Sequence, residues 1–514
     1  MGKNSSWQIK AGAMMSYVAI AINIVAGFVY TPWMINSIGE STYGLYTLAT
    51  SLISLFVMDF GISSATARYV ARYRAEGNVE KVNRFLGMVY KLYILIDAVI
   101  AVVFLFVYFN VGTIYSKLSA DEIDIFKGIL VIIIFYNLIS FPFTPLNGVL
   151  NAYENFFHMK LVGCLNKVLT VVSTFAVLAL GGGIFSLVII HVVFNLLSMI
   201  YRLVVVKLCT PVRADLSAWD KGELRGIFTF SLWATVVSIT SRLVFNITPS
   251  ILAAFVSTAA VTAFGLASTL EGYVFTFSEA INGLFLPKAT RASLSEHRDT
   301  ELLRLMTRVG RINLSIVALI VLGFAAAGRD FVSLWLGAGF EDVYTCTLLM
   351  ILPNVIYFPQ QIGRTMLVVD NKIKYQALIY VIMGVFNVAA SFLLIPFLGV
   401  LGSAIAIAIT YCIRFVLMTV VFHRSLKINM ASFYFNCYVK MLLPIFGTTV
   451  FGFFIFHVWE QNTWFTLVAK CAAITVVYFL LMWICGWNRE EKSLIKGMAG
   501  AVFRKFKKKK TENV

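Results

Sequence analysis

Charged residues fall inside long apolar runs of this chain, Asp59, Asp97, Arg242 and Glu271 among them. A charge at the centre of a membrane helix costs about 2.5–3.5 kcal/mol even on a lenient insertion scale, so each needs a partner or water. Arg242 and Glu271 lie at similar depth on adjacent runs and form the first pair to expect. Two readings of them stay open. One is a static ion pair that fixes helix packing. In the other, Arg242 meets an anionic headgroup while Glu271 or Asp59 exchanges protons or sodium. Arg364, Arg68 and Arg291 sit near the ends of other runs and together read as a cationic entrance. A guanidinium suits phosphate because its planar fork makes bidentate, charge-assisted bonds, although each arginine taken singly also fits a side chain reaching for the interface. Lys167 and Arg414 are further cavity candidates, while Lys91, Lys127, Lys440 and Lys470 read as snorkelling residues.

Polar residues also recur at helical spacing. Ser231, Thr235, Ser238, Arg242 and Asn246 make one row, His191, Asn195, Ser198 and Arg202 another, and Asn137, Ser140, Thr144, Asn147 and Asn151 a third. Steps of three and four place each set on one helix face. Interhelical hydrogen bonding accounts for the Ser and Thr members, at about 0.6 kcal/mol per contact. Arg, Asn and Gln cost more to bury and fit a water-filled cavity, which adds Asn246, Gln361 and Asn147 to its expected lining. Bond-making chemistry has no footing here. The sequence contains no P-loop, and no acidic pair or Ser/His/Asp cluster on a sizeable loop. Five dispersed histidines and seven scattered cysteines imply no metal site and no disulfide framework.

These residues must be positioned by membrane helices. Sixty per cent of the 514 residues are hydrophobic and 13% are charged, with a mean hydropathy of +0.85. A soluble chain would carry about 25% charged residues. Hydropathy divides the chain into about fourteen spans of twenty or more residues, enough to cross a hydrocarbon core of about 30 Å. The first apolar run is too long for a cleavable signal and is expected to be retained as a helix. The unit is written twice. The frame F-x-x-T-P occurs at Phe28–Pro32 and again, 217 residues on, at Phe245–Pro249. The same offset takes Phe141-Pro142 to Phe358-Pro359, and Gly183 falls on Gly399 with an offset of 216. Matched prolines (Pro142 and Pro145 with Pro353 and Pro359, Pro32 with Pro249) predict corresponding bends in both copies.

The expected fold is all-α and membrane-embedded, with two six-helix lobes at 1–210 and 226–422. A cytoplasmic linker at 211–225 joins them, two extra helices occupy 423–487, and a basic cytoplasmic tail follows at 488–514. Six spans return the chain to its starting side, so the copies are parallel repeats about an axis along the membrane normal. The net charge is +17, but the outward connections hold Lys117 alone against Glu40, Asp121, Glu122, Asp124, Glu341, Asp342 and Glu460. That positive-inside bias puts both termini in the cytoplasm. The tail's Arg504–Lys510 run then attracts anionic membrane lipids and not nucleic acid.

Particular motifs carry a resemblance. Tyr30-Thr31-Pro32, Ile38-Gly39-Glu40, Tyr43-Gly44-Leu45-Tyr46, Asp59-Phe60-Gly61, Arg68-Tyr69-Val70-Ala71 and Ala75-Glu76-Gly77-Asn78 together resemble the bacterial polysaccharide transporters. These belong to the multidrug/oligosaccharidyl-lipid/polysaccharide exporter superfamily. The resemblance implies a MATE-like fold with a central cavity exposed to each side of the bacterial plasma (inner) membrane alternately. It implies a cargo, an undecaprenyl-pyrophosphate-linked oligosaccharide moved to the outer leaflet for O-antigen, capsule or exopolysaccharide synthesis. Arg242 and Arg364 would meet its pyrophosphate or acidic sugars. A polymerase and a chain-length regulator are the implied partners, and no cofactor is expected beyond a proton or sodium gradient. The rivals are a cation-coupled multidrug antiporter and a flippase for peptidoglycan lipid precursors. A membrane glycosyltransferase should carry large acidic loops, and a scaffold would not explain the duplication.

Overall fold

The structure, a computed structural model, describes residues 21–22, 24–56, 59–218, 220–370, 372–459 and 462–493. Residues 11–20 of the expected first span, the outward Glu460 and the basic run Arg504–Lys510 lie outside the described residues. The first half runs α1 (Ile24–Ile38), α2 (Glu40–Phe56), α3 (Ile62–Ala75), α4 (Val79–Phe109), α5 (Ala120–Ser140), α6 (Leu146–Ala152), α7 (Phe156–Ala179) and α8 (Ile184–Cys209). The second runs α9 (Lys221–Phe245), α10 (Thr248–Phe255), α11 (Thr258–Ser293), α12 (Arg298–Leu336), α13 (Glu341–Ile351), α14 (Ile362–Val369) and α15 (Ile373–Leu426). Then follow α16 (Met430–Tyr434), α17 (Lys440–Val458) and α18 (Trp464–Leu481).

Ten helical stretches among the described residues are long and apolar enough to cross a membrane, which makes this a multi-pass membrane protein. One of the ten, α15, is two helices joined at Gly399, whose φ of 58° only glycine adopts cheaply. Gly183, its counterpart in the repeat, likewise precedes a helix start. The expected spans outside the ten are α1, the broken pair α2 and α3, and α11 with its Ser, Thr, Glu and Asn residues. Lipid-facing surface is visible on α4. Leu95, Val99, Val102 and Phe106 are exposed, whereas Phe85, Val89, Leu92 and Ile100 are buried. Water would not tolerate such an apolar stripe, and hydrocarbon does.

The prolines act as expected at one pair of sites. α5 stops at Ser140, passes through a short tight turn of helix at Phe141–Phe143 and resumes as α6; the Phe358–Gln360 turn repeats that pattern before α14. α1 is continuous through Pro32, whereas Pro249 opens α10 after a break. The second expected span, 43–69, breaks between Phe56 and Ile62, where Phe60 and Gly61 take positive φ. Ser231 and Thr235 of α9 donate to the Gly61 and Phe60 carbonyls at this break, where the Gly61 carbonyl also accepts from the Ala65 amide at 3.2 Å.

The chain divides into two compact units, Met1–Tyr273 with Ile373–Arg414 and Val274–Lys372 with Phe415–Val514. The boundary falls within α11 and again within α15. In the first unit α2 and α11 approach closely. A Cβ on Gly44 would meet the Thr258 carbonyl oxygen at 2.1 Å. The Ser41 and Thr258 hydroxyls are 2.9 Å apart, and these positions differ by the repeat offset of 217. Both hydroxyls donate to Glu122 Oε1, from Thr258 at 2.7 Å, and Thr262 donates to the Glu40 carbonyl at 2.7 Å. Glu122 also closes a capping box with Ser119 at the start of α5. The linker lies along α4, with the Arg213 amide donating to Asn83 Oδ1 at 2.7 Å and the Asp215 amide to the Asn83 carbonyl at 2.9 Å.

In the second unit the helices expected to be peripheral are fastened to α12. Arg311 is buried and grips Glu491 through two nitrogens, at 2.6 and 2.8 Å. The same guanidinium donates to the Asn436 and Gly486 carbonyls at 3.0 and 2.7 Å.

Candidate functional site

The first unit holds Arg242, near the end of α9 and one turn before Asn246, whose amide donates to the Arg242 carbonyl at 2.8 Å. Arg242 is half-buried and, among the described residues, forms no ion pair. The expected Arg242–Glu271 pair is not formed. Glu271 instead accepts from the Tyr411 hydroxyl at 3.2 Å, and the Arg414 guanidinium stacks 4.2 Å above the Tyr411 ring. Glu271 and Arg414 are both buried, at 5% and 2% exposure. The sequence-adjacent helix was thus displaced by α15, which brings the phenol to the carboxylate.

Asp59 sits in the α2–α3 break and accepts from the Ser63 amide at 3.0 Å and the Tyr93 hydroxyl at 2.8 Å. A carboxylate so placed holds the first turn of α3 and ties it to α4. Buried Asp97 accepts from Asn137 Nδ2 at 2.9 Å, which uses the first member of that polar row. Asn147 is half-buried on α6 beside the contact with α3, where a Cβ on neighbouring Gly148 would meet the Ser63 carbonyl at 2.5 Å. Arg68 is exposed on α3. Lys167 lies at the middle of α7 and lines a cavity with α1, α2 and α8 residues.

The second unit holds Arg364, Gln361 and Arg291. Arg364 Nη2 donates to Glu279 Oε1 at 2.6 Å, and Gln361 Nε2 donates to the same oxygen. Ser278 donates to Gln361 Oε1 at 2.7 Å and to Asn313 Oδ1 at 3.2 Å, while Asn313 donates to Asn282 Oδ1 at 3.1 Å. The result is a continuous polar network between α11, α12 and the proline-bent segment, with Arg364 held at its edge as an oriented cation. Arg291 is exposed near the end of α11.

Sequence reasoning missed Glu279, Asn282 and Asn313. A signal existed: Glu271, Ser278, Glu279 and Asn282 repeat at steps that share one face of α11. It also misjudged Lys470. That side chain is 1% exposed, bonded to Asp330 at 3.3 Å and set 4.4 Å over the Phe456 ring, so it is neutralised inside the unit and does not snorkel. Lys91 donates to the Ala218 carbonyl at 3.0 Å and so braces the linker.

The family described as "Polysaccharide biosynthesis protein" matches residues 9–294 of the chain, more than half its length. A search of curated protein sequences matches none of them. Among solved structures, the lipid II flippase MurJ in an inward closed conformation superposes with a TM-score of 0.69 at 13% identity, over 92% of this chain and 98% of that one. An inward-facing multidrug resistance MATE transporter of the MOP superfamily gives 0.61 at 12% identity, over 82% and 98%. A mutant of the Vibrio cholerae MATE transporter VcmN gives 0.57 at 14%, over 82% and 98%. At these identities the likeness establishes the fold, which is MurJ- and MATE-like.

Proposed function

As this chain belongs to the polysaccharide biosynthesis protein family, we propose that it is a flippase for an undecaprenyl-pyrophosphate-linked oligosaccharide. It moves that cargo from the inner to the outer leaflet of the bacterial plasma membrane, with both of its termini in the cytoplasm, for O-antigen, capsule or exopolysaccharide synthesis. The two repeated halves expose the cargo alternately to either side, and a polymerase with its chain-length regulator receives the product. The observation that carries this reading is Arg242. A guanidinium in an apolar helix, without an ion pair among the described residues, is tolerable only where water or an anion reaches it. A pyrophosphate supplies that anion. Arg364, oriented by Glu279, supports it as a second cation for the same class of cargo.

The test is the loss of surface polysaccharide. Arg242→Ala and Arg364→Ala should each abolish it while the protein still inserts in the membrane. Wild-type polymer in both variants would remove the assignment. A peptidoglycan-precursor flippase would instead rescue cell-wall synthesis on depletion of the native one. The drug-antiporter reading needs a carboxylate open to a cation. It is disfavoured by the cavity candidates of this chain, among which arginines such as Arg242 and Arg364 are at least as prominent as acidic side chains. Coupling of the flippase to a gradient runs through Asp59 or Glu271; reconstituted transport that ignores both pH and sodium gradients leaves trapping of the cargo outside as the driving step.

A further inference from the structure

The cavity at Lys167 has a chemistry of its own. It is a partly open cavity of about 190 Å³ within the first unit, lined by Tyr30, Tyr46, Asn166, Lys167, Thr174 and His191 among others, with no acidic side chain in its lining. Lys167 is the twelfth residue of a 24-residue helix. At about 1.5 Å per residue its ammonium group is some 17 Å from either helix end, beyond the reach of a snorkelling side chain. Among the described residues Lys167 makes no ion pair and no hydrogen bond, in contrast to Lys470, which the fold neutralises with Asp330. The Tyr30 and Tyr46 hydroxyls and the His191 ring are also without hydrogen-bond partners among the described residues. Asn166 is held in place by Asn195 and Thr170, at 3.0 and 3.1 Å.

A mid-membrane cation ringed by donors, with no carboxylate at hand, is built for a negative charge. We infer that this cavity is an anion-binding site, taking one small anionic group between Lys167, His191 and the two tyrosines. Its size decides what enters. Ligand pockets for larger molecules begin near 300 Å³, so an oligosaccharide does not fit as a whole. The bound group is therefore either a free inorganic anion or the single carboxylate of an acidic sugar presented by a cargo. Both offer the same chemistry to Lys167.

The experiment titrates purified full-length protein in lipid nanodiscs with chloride and, separately, with glucuronate, and follows the melting temperature. Binding to the folded state alone raises the melting temperature with a saturating dependence on anion concentration. Lys167→Gln should need at least about tenfold more anion for the same rise, because a charge-assisted contact is lost, while Lys167→Arg should retain the response. A free anion is the ligand if chloride saturates and wild-type flipping requires chloride whatever the sugar. A cargo carboxylate is the ligand if glucuronate saturates and Lys167→Gln stops flipping only of uronate-containing lipid-linked sugar. Equal responses of wild type and Lys167→Gln overturn the site. If Lys167→Gln does not accumulate, Tyr46→Phe removes one donor and no charge, and an unchanged affinity in that variant overturns it equally. The titration stands whether or not the protein proves to be a flippase.

Discussion

Replacing Glu491 by Gln removes one charge from the most enclosed ion pair described in the molecule. The Arg311 and Glu491 side chains are 4% and 7% exposed, and two of the guanidinium nitrogens meet the two carboxylate oxygens at 2.6 and 2.8 Å. The Asn436 and Gly486 carbonyls complete the arginine's shell, and the Asn488 amide donates to Glu491 Oε2 at 2.8 Å. With so little solvent the pair is barely screened, and losing one partner leaves a buried cation uncompensated. Such a loss costs about 3–5 kcal/mol. The assay is reversible unfolding in mixed micelles of mild detergent and dodecyl sulfate, with proteolysis of the segment 487–493 as a local readout. Glu491→Gln should lose about 3–5 kcal/mol and expose that segment. The double variant Arg311→Met/Glu491→Leu should recover most of the loss, because two apolar groups remove the desolvation penalty along with the attraction. A single-variant cost below about 0.5 kcal/mol would place the pair among ordinary surface contacts and refute the reasoning. It would also leave α17 and α18 as a loose appendage, against the Tyr478 and Trp487 bonds to Ser315 at 2.8 and 3.1 Å.

Other perturbations test other joints. With the seven native cysteines replaced, Ser41→Cys/Thr258→Cys should form a disulfide on oxidation, because the native hydroxyls are 2.9 Å apart. If transport requires these helix ends to part, the crosslinked protein is inactive and a reductant restores it; unimpaired flipping by the crosslinked form sinks that requirement. Gly44→Ala drives a methyl group toward the Thr258 carbonyl and should destabilise by about 1–3 kcal/mol, read by the same unfolding assay. Glu279→Gln should cost under about 1 kcal/mol of stability, since Glu279 is 37% exposed and screened, yet reduce polymer export by releasing Arg364. In the linker, Ser217 donates its hydroxyl and amide to Asp215 and holds that carboxyl below its ordinary value. A depressed folded pKa stabilises above the unfolded value and is lost as pH falls through the folded one. Linker structure should therefore be indifferent to pH between about 5 and 8, and Ser217→Ala, which removes the hydroxyl and keeps the amide, should raise the Asp215 pKa part of the way toward its ordinary value, as measured by carboxyl chemical shifts.

What could be read from the sequence was whatever a local pattern dictates, and the failures have two causes. Apolar runs and the paired Phe-Pro bends act on the backbone nearby, so they appeared in the helices where the pattern put them, whereas the two F-x-x-T-P copies differ, with α1 continuous through Pro32 and a break before Pro249. The break at Asp59-Phe60-Gly61 is equally local, but hydropathy averages over a positive φ and cannot register it. Ion partners are another matter, because a helix row specifies a face and says nothing about which helix that face meets. Glu271 found Tyr411 at a separation of 140 residues, Lys470 found Asp330 at 140, and Arg364 found Glu279 at 85. The one pair expected from adjacent helices, Arg242 with Glu271, is not formed among the described residues. Hydrocarbon supplies a rule that sequence proximity does not: it makes an isolated charge so costly that every buried one implies a counterpart somewhere. Asp97, Lys470 and Arg311 each have theirs inside the fold. Arg242 and Lys167 have none among the described residues, which makes water or an anion the counterpart to test for. Those two cations are where a ligand should be sought first.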